Sequence, residues 1–415
     1  MYIYILIGNS MNILFVTENE ISQQLGGTDR ITITLSDEFS RRGHRCYLAF
    51  CRNSDHPDKC SFVDTVLLRD SQESEQITDL LQIALIDIVV CNLVDINYKR
   101  RILPLLYNAT RGTRAKVVAC YHAMPGEDLL GNRIDNIFYR IRTKGNLGRN
   151  LKDLALAILP SNLVRTLFRK KIEAKYRLMY DNSDLLVLHT PEACAQYAEI
   201  AGLPLDGKFA AVGSALSYDT FLDEAALASK RKEVLIVSRM DEKSKRLSFA
   251  LRVWSLINES GKYDDWNLRI VGGGSDLNYY IRMSDRLGLE NITFEGRVAD
   301  VAKYYREASI FMLTSAYEGW ALTLTESQQF GVVPVALDSY VSLPAIIENH
   351  KTGIIVPDND LRGYANEVMW LMGNDVAREK LARNGLVSCR RFTKEKIADR
   401  WLSLFGDLLE NKTEQ

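Results

Sequence analysis

The sequence predicts an α/β protein built from two doubly wound parallel-sheet domains. Three observations carry this. Short, near-continuous apolar runs alternate with helix-like stretches, the pattern of strands covered on both faces. The alternation runs once through the N-terminal half and restarts after a polar crossover at 216–232. The chain has 415 residues, 47% of them hydrophobic and 25% charged, enough for two to three globular domains.

In the first series, strands are expected at 12–17 (NILFVT), 46–50 (CYLAF), 62–68 (FVDTVLL), 86–91 (IDIVVC), 116–120 (KVVAC) and 184–190 (DLLVLHT). Between the first two, Ile31, Leu35 and Phe39 recur every four residues, one face of a helix, with Gly43 as its stop. The second series reads 233–238 (EVLIVS), 268–271 (LRIV), 291–294 (NITF), 310–314 (IFMLT), 333–336 (VPVA) and 353–357 (GIIVP). A final amphipathic helix is expected at 393–409. Ligands of such sheets bind beyond the carboxyl ends of the strands, so two of them facing each other place the site in the cleft between.

Composition narrows the function classes. Lys and Arg total 52 against 53 Asp and Glu, a net charge of −1, which disfavours a globally basic nucleic-acid binder. No run approaches the roughly 20 apolar residues of a membrane span. Seven cysteines without a CxxC pair argue against a disulfide framework or zinc ribbon and for a reducing cytosol. Residues 1–10 make a poor signal peptide, and Met11 reads as a natural start ahead of the first strand.

Six segments could carry chemistry. The strongest is 315–336, SAYEGWALTLTESQQFGVVPVA. Glu318 and Glu326 would lie about 80° apart on one continuous helix, but Gly319 leaves Glu318 in the loop. The two carboxylates could then converge on ligand hydroxyls, while the N–H groups of Trp320, Ala321 and Leu322 face an anion at the helix start. The second segment, 237–254, puts Arg239 just past a strand and follows it with Lys243, Lys245 and Arg246 before an apolar helix. Cations at a helix N-terminus oppose its dipole, so this cluster suggests a bound anion. Arg and Lys there would stabilise a departing nucleoside diphosphate.

The other four signals are weaker. The triplet Gly272-Gly273-Gly274 would let backbone approach a ligand, but it is not a GxGxxG fingerprint, which disfavours a dinucleotide-dependent oxidoreductase. Gly26-Gly27-Thr28 follows the first strand as a glycine loop for a diphosphate, or as a plain turn before a helix. His122 stands at the carboxyl end of strand 116–120, where ligands bind. Residues 131–180 carry twelve Lys and Arg against three acids, net +9, with two apolar helical stripes. Such a stretch can lie on an anionic bilayer or simply pack on the protein.

These motifs, in this order, resemble the retaining glycosyltransferases of family 4, which have the GT-B fold. The resemblance runs from MNILFVTENE to the final helix. It implies an N-terminal acceptor-binding Rossmann-like domain at 1–216, rejoined by the helix 393–412, and a nucleotide-sugar-binding domain at 217–392. The implied activity is transfer from a UDP- or GDP-sugar to a glycan or polyprenyl-linked acceptor in cell-surface polysaccharide synthesis. Carried over, Glu318 sits by the donor sugar, Glu326 holds the ribose, and Arg239 with Lys245 binds the diphosphate. Lys243 is the alternative to Lys245. Val298 would hold the base through backbone atoms, and His122 would orient the donor sugar. Gly27, Gly273, Trp320, Ala321 and Leu322 complete the donor side. Four features depart from the family pattern: Ser238, Ser214-Ala215-Leu216, Trp320, and DSYVSLPAII where a Gly-Gly pair is common.

No DxD-type metal site is evident, so no cofactor or metal requirement is expected. The protein is expected in the cytoplasm or on the inner face of the membrane, contacting anionic lipid through 131–180 and binding no nucleic acid. The rival readings are a nucleotide-sugar epimerase of the same fold and a non-catalytic nucleotide-sugar-binding protein.

Overall fold

The computed structural model describes residues 10–22, 26–55, 57, 60–127 and 161–410, with backbone alone for 161–168. The chain divides into two compact units. One takes the residues up to 127, 161–217 and those from Lys394 onward; the other is Tyr218–Thr393.

The first unit holds a seven-stranded sheet, all of it parallel. Its strands are β1 (Asn12–Asn19), β2 (Arg45–Arg52), β3 (Asp64–Leu67), β4 (Ile88–Cys91), β5 (Lys116–Cys120), β6 (Leu185–Leu188) and β7 (Phe209–Ala211). Their order is β3-β2-β1-β4-β5-β6-β7. β4 and β6 are buried at every position, as the unbroken apolar runs require when both faces are covered. Sequence reading missed β7, whose three residues Phe-Ala-Ala are too short to show any period. Helix Gly27–Arg41 buries Ile33, Leu35 and Phe39 and gives way to Gly43 at φ +89°. The last helix, Lys394–Glu410, packs on it: the Phe405 ring meets Phe39 edge-on at 5.9 Å, and Asp399 pairs with Arg42 at 2.5 Å.

The second unit holds a parallel six-stranded sheet in the order β10-β9-β8-β11-β12-β13. Its strands are β8 (Glu233–Val237), β9 (Asn267–Val271), β10 (Ile292–Gly296), β11 (Ile310–Leu313), β12 (Val333–Asp338) and β13 (Ile354–Pro357). Trp254, Trp266, Tyr280 and Tyr364 are the largest fully buried side chains of its core. The crossover contains a 3₁₀ turn, Glu224–Ser229, and no strand.

In each sheet the strand order reverses once, between β1 and β4 and between β8 and β11. These switch points splay the following loops apart and open a crevice at the strands' carboxyl ends. The segments after β4, β8 and β11 therefore position the candidate sites. The basic stretch is only partly visible: 131–160 lies outside the described residues, while Ser161–Asp181 is one helix. Among the described residues, no helix is long and apolar enough to cross a membrane.

Candidate functional site

Residues from the ends of β8 and β11 meet. Past β8, Arg239 is exposed, and its side chain has no hydrogen bond or ion pair among the described residues. One helical turn follows, Glu242–Lys245, and then Arg246 adopts the left-handed conformation at φ +47°. That break is absent from the expectation of basic residues at the start of one long helix; the apolar helix begins anew at Leu247. A non-glycine residue there is strained, so surrounding contacts must hold it.

They do. The Arg246 guanidinium donates to Thr314 O at 3.0 Å, Ser315 O at 2.9 Å, Asn359 Oδ1 at 3.1 Å and Asp358 Oδ1 at 2.8 Å. The Thr314 hydroxyl donates back to Lys245 O at 3.0 Å, and Ala316 N–H donates to Ser244 O at 2.8 Å. This lattice sets Lys245 against Glu318. The two form an ion pair with side chains 16% and 14% exposed, and Ser315 Oγ donates to the same Glu318 oxygen at 2.6 Å. Lys243, by contrast, points into solvent, so Lys245 is the lysine this geometry brings to Glu318. Arg246 was read in the sequence only as part of a basic cluster, and its positioning role escaped because its partners lie about seventy and more residues away.

Several other expected donor-side residues face the protein's own interior. Glu326 is 1% exposed and accepts from the Tyr305 hydroxyl at 3.0 Å, so it does not converge with Glu318 on an open site. Trp320 is 8% exposed, its ring edge-on to Phe392 at 5.1 Å. Helix Leu322–Gln329 starts at an Ala321 cap, and Leu322 N–H bonds to Trp320 O at 3.1 Å, which takes it from the anion-facing set.

The glycine triplet serves chain packing. A Cβ on Gly272 (φ +135°) would lie 1.9 Å from Ser238 O, and one on Gly274 2.5 Å from Met240 O. These glycines let β9's exit run against 238–240, where Met240 N–H donates to Gly273 O at 3.0 Å. A Cβ on Gly273 would meet the flexible Arg297 side chain at 2.9 Å. Val298, in the loop after β10, is half-buried, and among the described residues nothing bonds its backbone N–H or C=O.

The first unit presents a different chemistry. Gly27 is the first residue of its helix, with Gly26 as cap, rather than part of a loop. His122, just past β5, shares its Nε2 with Asn92 Oδ1 at 3.0 Å. Asn92 sits at the end of β4 and donates through Nδ2 to Thr32 Oγ1 at 2.8 Å, and that hydroxyl donates to Thr28 O at 2.9 Å. The chain of donors leaves Asn92 Oδ1 as acceptor, so His122 carries its proton on Nε2. Burial, then the nearby His189 ring at 5.6 Å and Lys99, push His122 down to about 3, which keeps it neutral near pH 7. Lys99 is 5% exposed over the Tyr121 ring at 5.1 Å, and burial with the Lys175 charge pulls it to about 8. Sequence reading singled out neither Asn92 nor Lys99; a polar residue directly after a buried strand was the available signal for Asn92. Among the described residues, no group of three or more His, Cys, Asp or Glu side chains could hold a metal ion.

Comparison with known proteins bears on the fold and on the second unit. Residues 218–388 match the family model described as glycosyl transferases group 1. An uncharacterized glycosyltransferase of Haemophilus influenzae is 27% identical over 185 residues, 44% of this chain and 52% of the relative. A Campylobacter jejuni α-1,4-N-acetyl-D-galactosaminyltransferase acting on a diphosphoundecaprenol-linked GalNAc acceptor is 25% identical over 45% of this chain and 52% of its own. The chain thus spans about half the length of these relatives. Among solved structures, Anabaena Alr3699/HepE in complex with UDP superposes with a TM-score of 0.69 at 13% identity, over 96% of this chain and 100% of that one. A Staphylococcus aureus TarM mutant in complex with fondaparinux, α-GlcNAc-glycerol and UDP gives 0.69 at 13% identity, over 95% and 100%. The chain has the GT-B fold, and its residues 218–388 are similar to glycosyl transferases group 1.

Proposed function

We propose that this protein is a retaining glycosyltransferase that moves a hexose-type sugar from a UDP- or GDP-sugar to a glycan or polyprenyl-linked acceptor in cell-surface polysaccharide synthesis. The observation that carries the proposal is the half-buried Lys245–Glu318 pair at the switch point of β8 and β11, with Arg239 exposed on the same loop after β8 and without a side-chain partner among the described residues. A nucleoside diphosphate brings two or more negative charges, and fixed cations in a site of low dielectric stabilise that charge as the sugar departs. Arg239 is available to it. Lys245 becomes available by exchanging a carboxylate for a phosphate.

Glu318 keeps an oxygen for a sugar hydroxyl, because Lys245 and Ser315 both bond to Oε1. The open backbone groups of Val298 suit the hydrogen-bonding edge of a base. In the first unit, neutral His122 suits a sugar hydroxyl better than a phosphate. Glu318 is taken by a sugar hydroxyl and Glu326 is buried against Tyr305, so we favour same-face attack assisted by the leaving phosphate over a covalent intermediate. Positive side chains can balance the diphosphate in a metal's stead, and we propose metal-independent turnover on the cytoplasmic face of the membrane.

The test is a screen of radiolabelled UDP- and GDP-sugars against membrane extracts containing lipid-linked acceptors, with and without chelator. Transfer of label into the lipid phase is expected. Release of free sugar alone, or conversion of the donor sugar without acceptor, would overturn the reading.

A further inference from the structure

The turn after β12 contains an unused hydrogen-bond donor. In Asp338-Ser339-Tyr340-Val341-Ser342, the two serines flanking Tyr340 fasten the turn to the loop that carries Glu318. Ser339 Oγ donates to Ser315 O at 2.7 Å and Ser342 Oγ donates to Gly319 O at 2.6 Å. The fastening holds Tyr340 inside, 5% exposed, with its hydroxyl buried and bonded to nothing among the described residues. A buried hydroxyl left without a partner destabilises the state in which it is unmet. Two other buried tyrosine hydroxyls of this unit are bonded, Tyr364 to Val335 O at 2.6 Å and Tyr280 to Glu242 Oε2 at 2.9 Å, so the shortfall at Tyr340 is local. Burial first, and then the charge of Glu318, raise the Tyr340 phenol well above its ordinary value, which keeps it protonated and able only to give its hydrogen to an anion.

Glu318 has the complementary problem. Its cation, Lys245, is the residue that the proposed function directs to a diphosphate. Once Lys245 turns to phosphate, a carboxylate only 14% exposed keeps Ser315 as its one hydroxyl donor among the described residues. Leaving a buried charge without its partner is among the costlier changes a site can make.

We propose that Tyr340 is a positioning residue for ligand binding: its hydroxyl takes Lys245's place on the Glu318 carboxylate when a nucleoside diphosphate draws Lys245 away. The two unmet groups satisfy each other in the bound state, so Tyr340 stabilises the bound state and contributes nothing to the free one.

The inference rests on the reading of Lys245 as a diphosphate ligand, and the test separates the two. UDP and GDP binding to wild type and to Tyr340→Phe is measured by calorimetry, with thermal unfolding of both proteins free of ligand. The phenyl ring keeps the packing and removes only the unmet hydroxyl. About tenfold weaker binding is expected for Tyr340→Phe, with a ligand-free Tm equal to or above that of wild type. Affinity within twofold of wild type overturns the handover. A Tm that falls together with affinity also overturns it, by showing an ordinary structural role. A wild type that binds neither nucleotide overturns the proposed function itself.

Discussion

The strand ends of the two units differ in kind. Past β8 and β11 the polar groups are charged and partly open: Arg239, Lys245 and Glu318. Past β4 and β5 they are neutral and enclosed: Asn92 and His122, with burial holding the imidazole near 3. Both sheets are parallel and both reverse their order once, so topology does not account for the contrast. Under the proposed function, it follows from what each crevice would hold. A diphosphate needs fixed positive charge. A sugar hydroxyl needs neutral donors and acceptors of set orientation, and a charged imidazole there would bind phosphate indiscriminately.

Lys99 is the exception on the neutral side. It lies 5% exposed with its amine drawn to about 8, and its charge helps to depress His122.

The contrast can be broken at its charged end first. Lys245→Met should lower transfer about 10²–10³-fold, the loss expected for one group that stabilises developing charge. It should also cost about 1–3 kcal/mol of stability, because Glu318 loses its main partner. Initial rates and urea unfolding measure the two. Full activity in Lys245→Met would mean that the lysine only balances Glu318.

Arg239→Ala comes next. The side chain is exposed and unpaired among the described residues, so its removal should leave Tm unchanged. Here kcat/KM should drop about 10–100-fold, less than for the more enclosed lysine. A change smaller than about threefold would take Arg239 out of the site.

The smallest effect is expected at the neutral end. His122 has an ordinary value near 6.5 when unfolded and about 3 when folded, so between those values the unfolded chain binds the extra proton. Its contribution to stability is complete above about pH 6.5 and fades as the pH falls toward 3. His122→Phe should therefore flatten the loss of stability between pH 7 and pH 4.5, read from urea midpoints. His189, held near 4, leaves a residual slope of the same sign. An unchanged slope would show that His122 is not the enclosed neutral group described here.

Much of the fold was legible because buried parallel strands announce themselves as unbroken apolar runs: Ile310–Leu313 and Lys116–Cys120 lie where such runs were read. The strand β7 was not, since Phe209–Ala211 gains its identity only by pairing with β6. At the site, Arg239 and Lys245 could be picked out because cations read at a helix start oppose its dipole unless an anion is bound, and Glu318 because Gly319 leaves it in the loop ahead of a helix. Glu326, Trp320 and the glycine triplet show the limit. Their types suit a ligand equally well, and only packing against Tyr305, Phe392 and the 238–240 backbone reveals what they touch.

Sequence alone thus determined the two parallel sheets, the restart of the pattern near the crossover and the charged residues at the ends of β8 and β11, because these follow from periodicity and local charge. Tertiary structure alone decided that Lys245 rather than Lys243 meets Glu318, that Arg246 is held in a strained turn, that Asn92 orients His122, and that the Tyr340 hydroxyl has no partner among the described residues. Each of these depends on groups tens of residues apart in the chain arriving within a few ångströms, and a pattern that repeats every two or four residues carries no record of that.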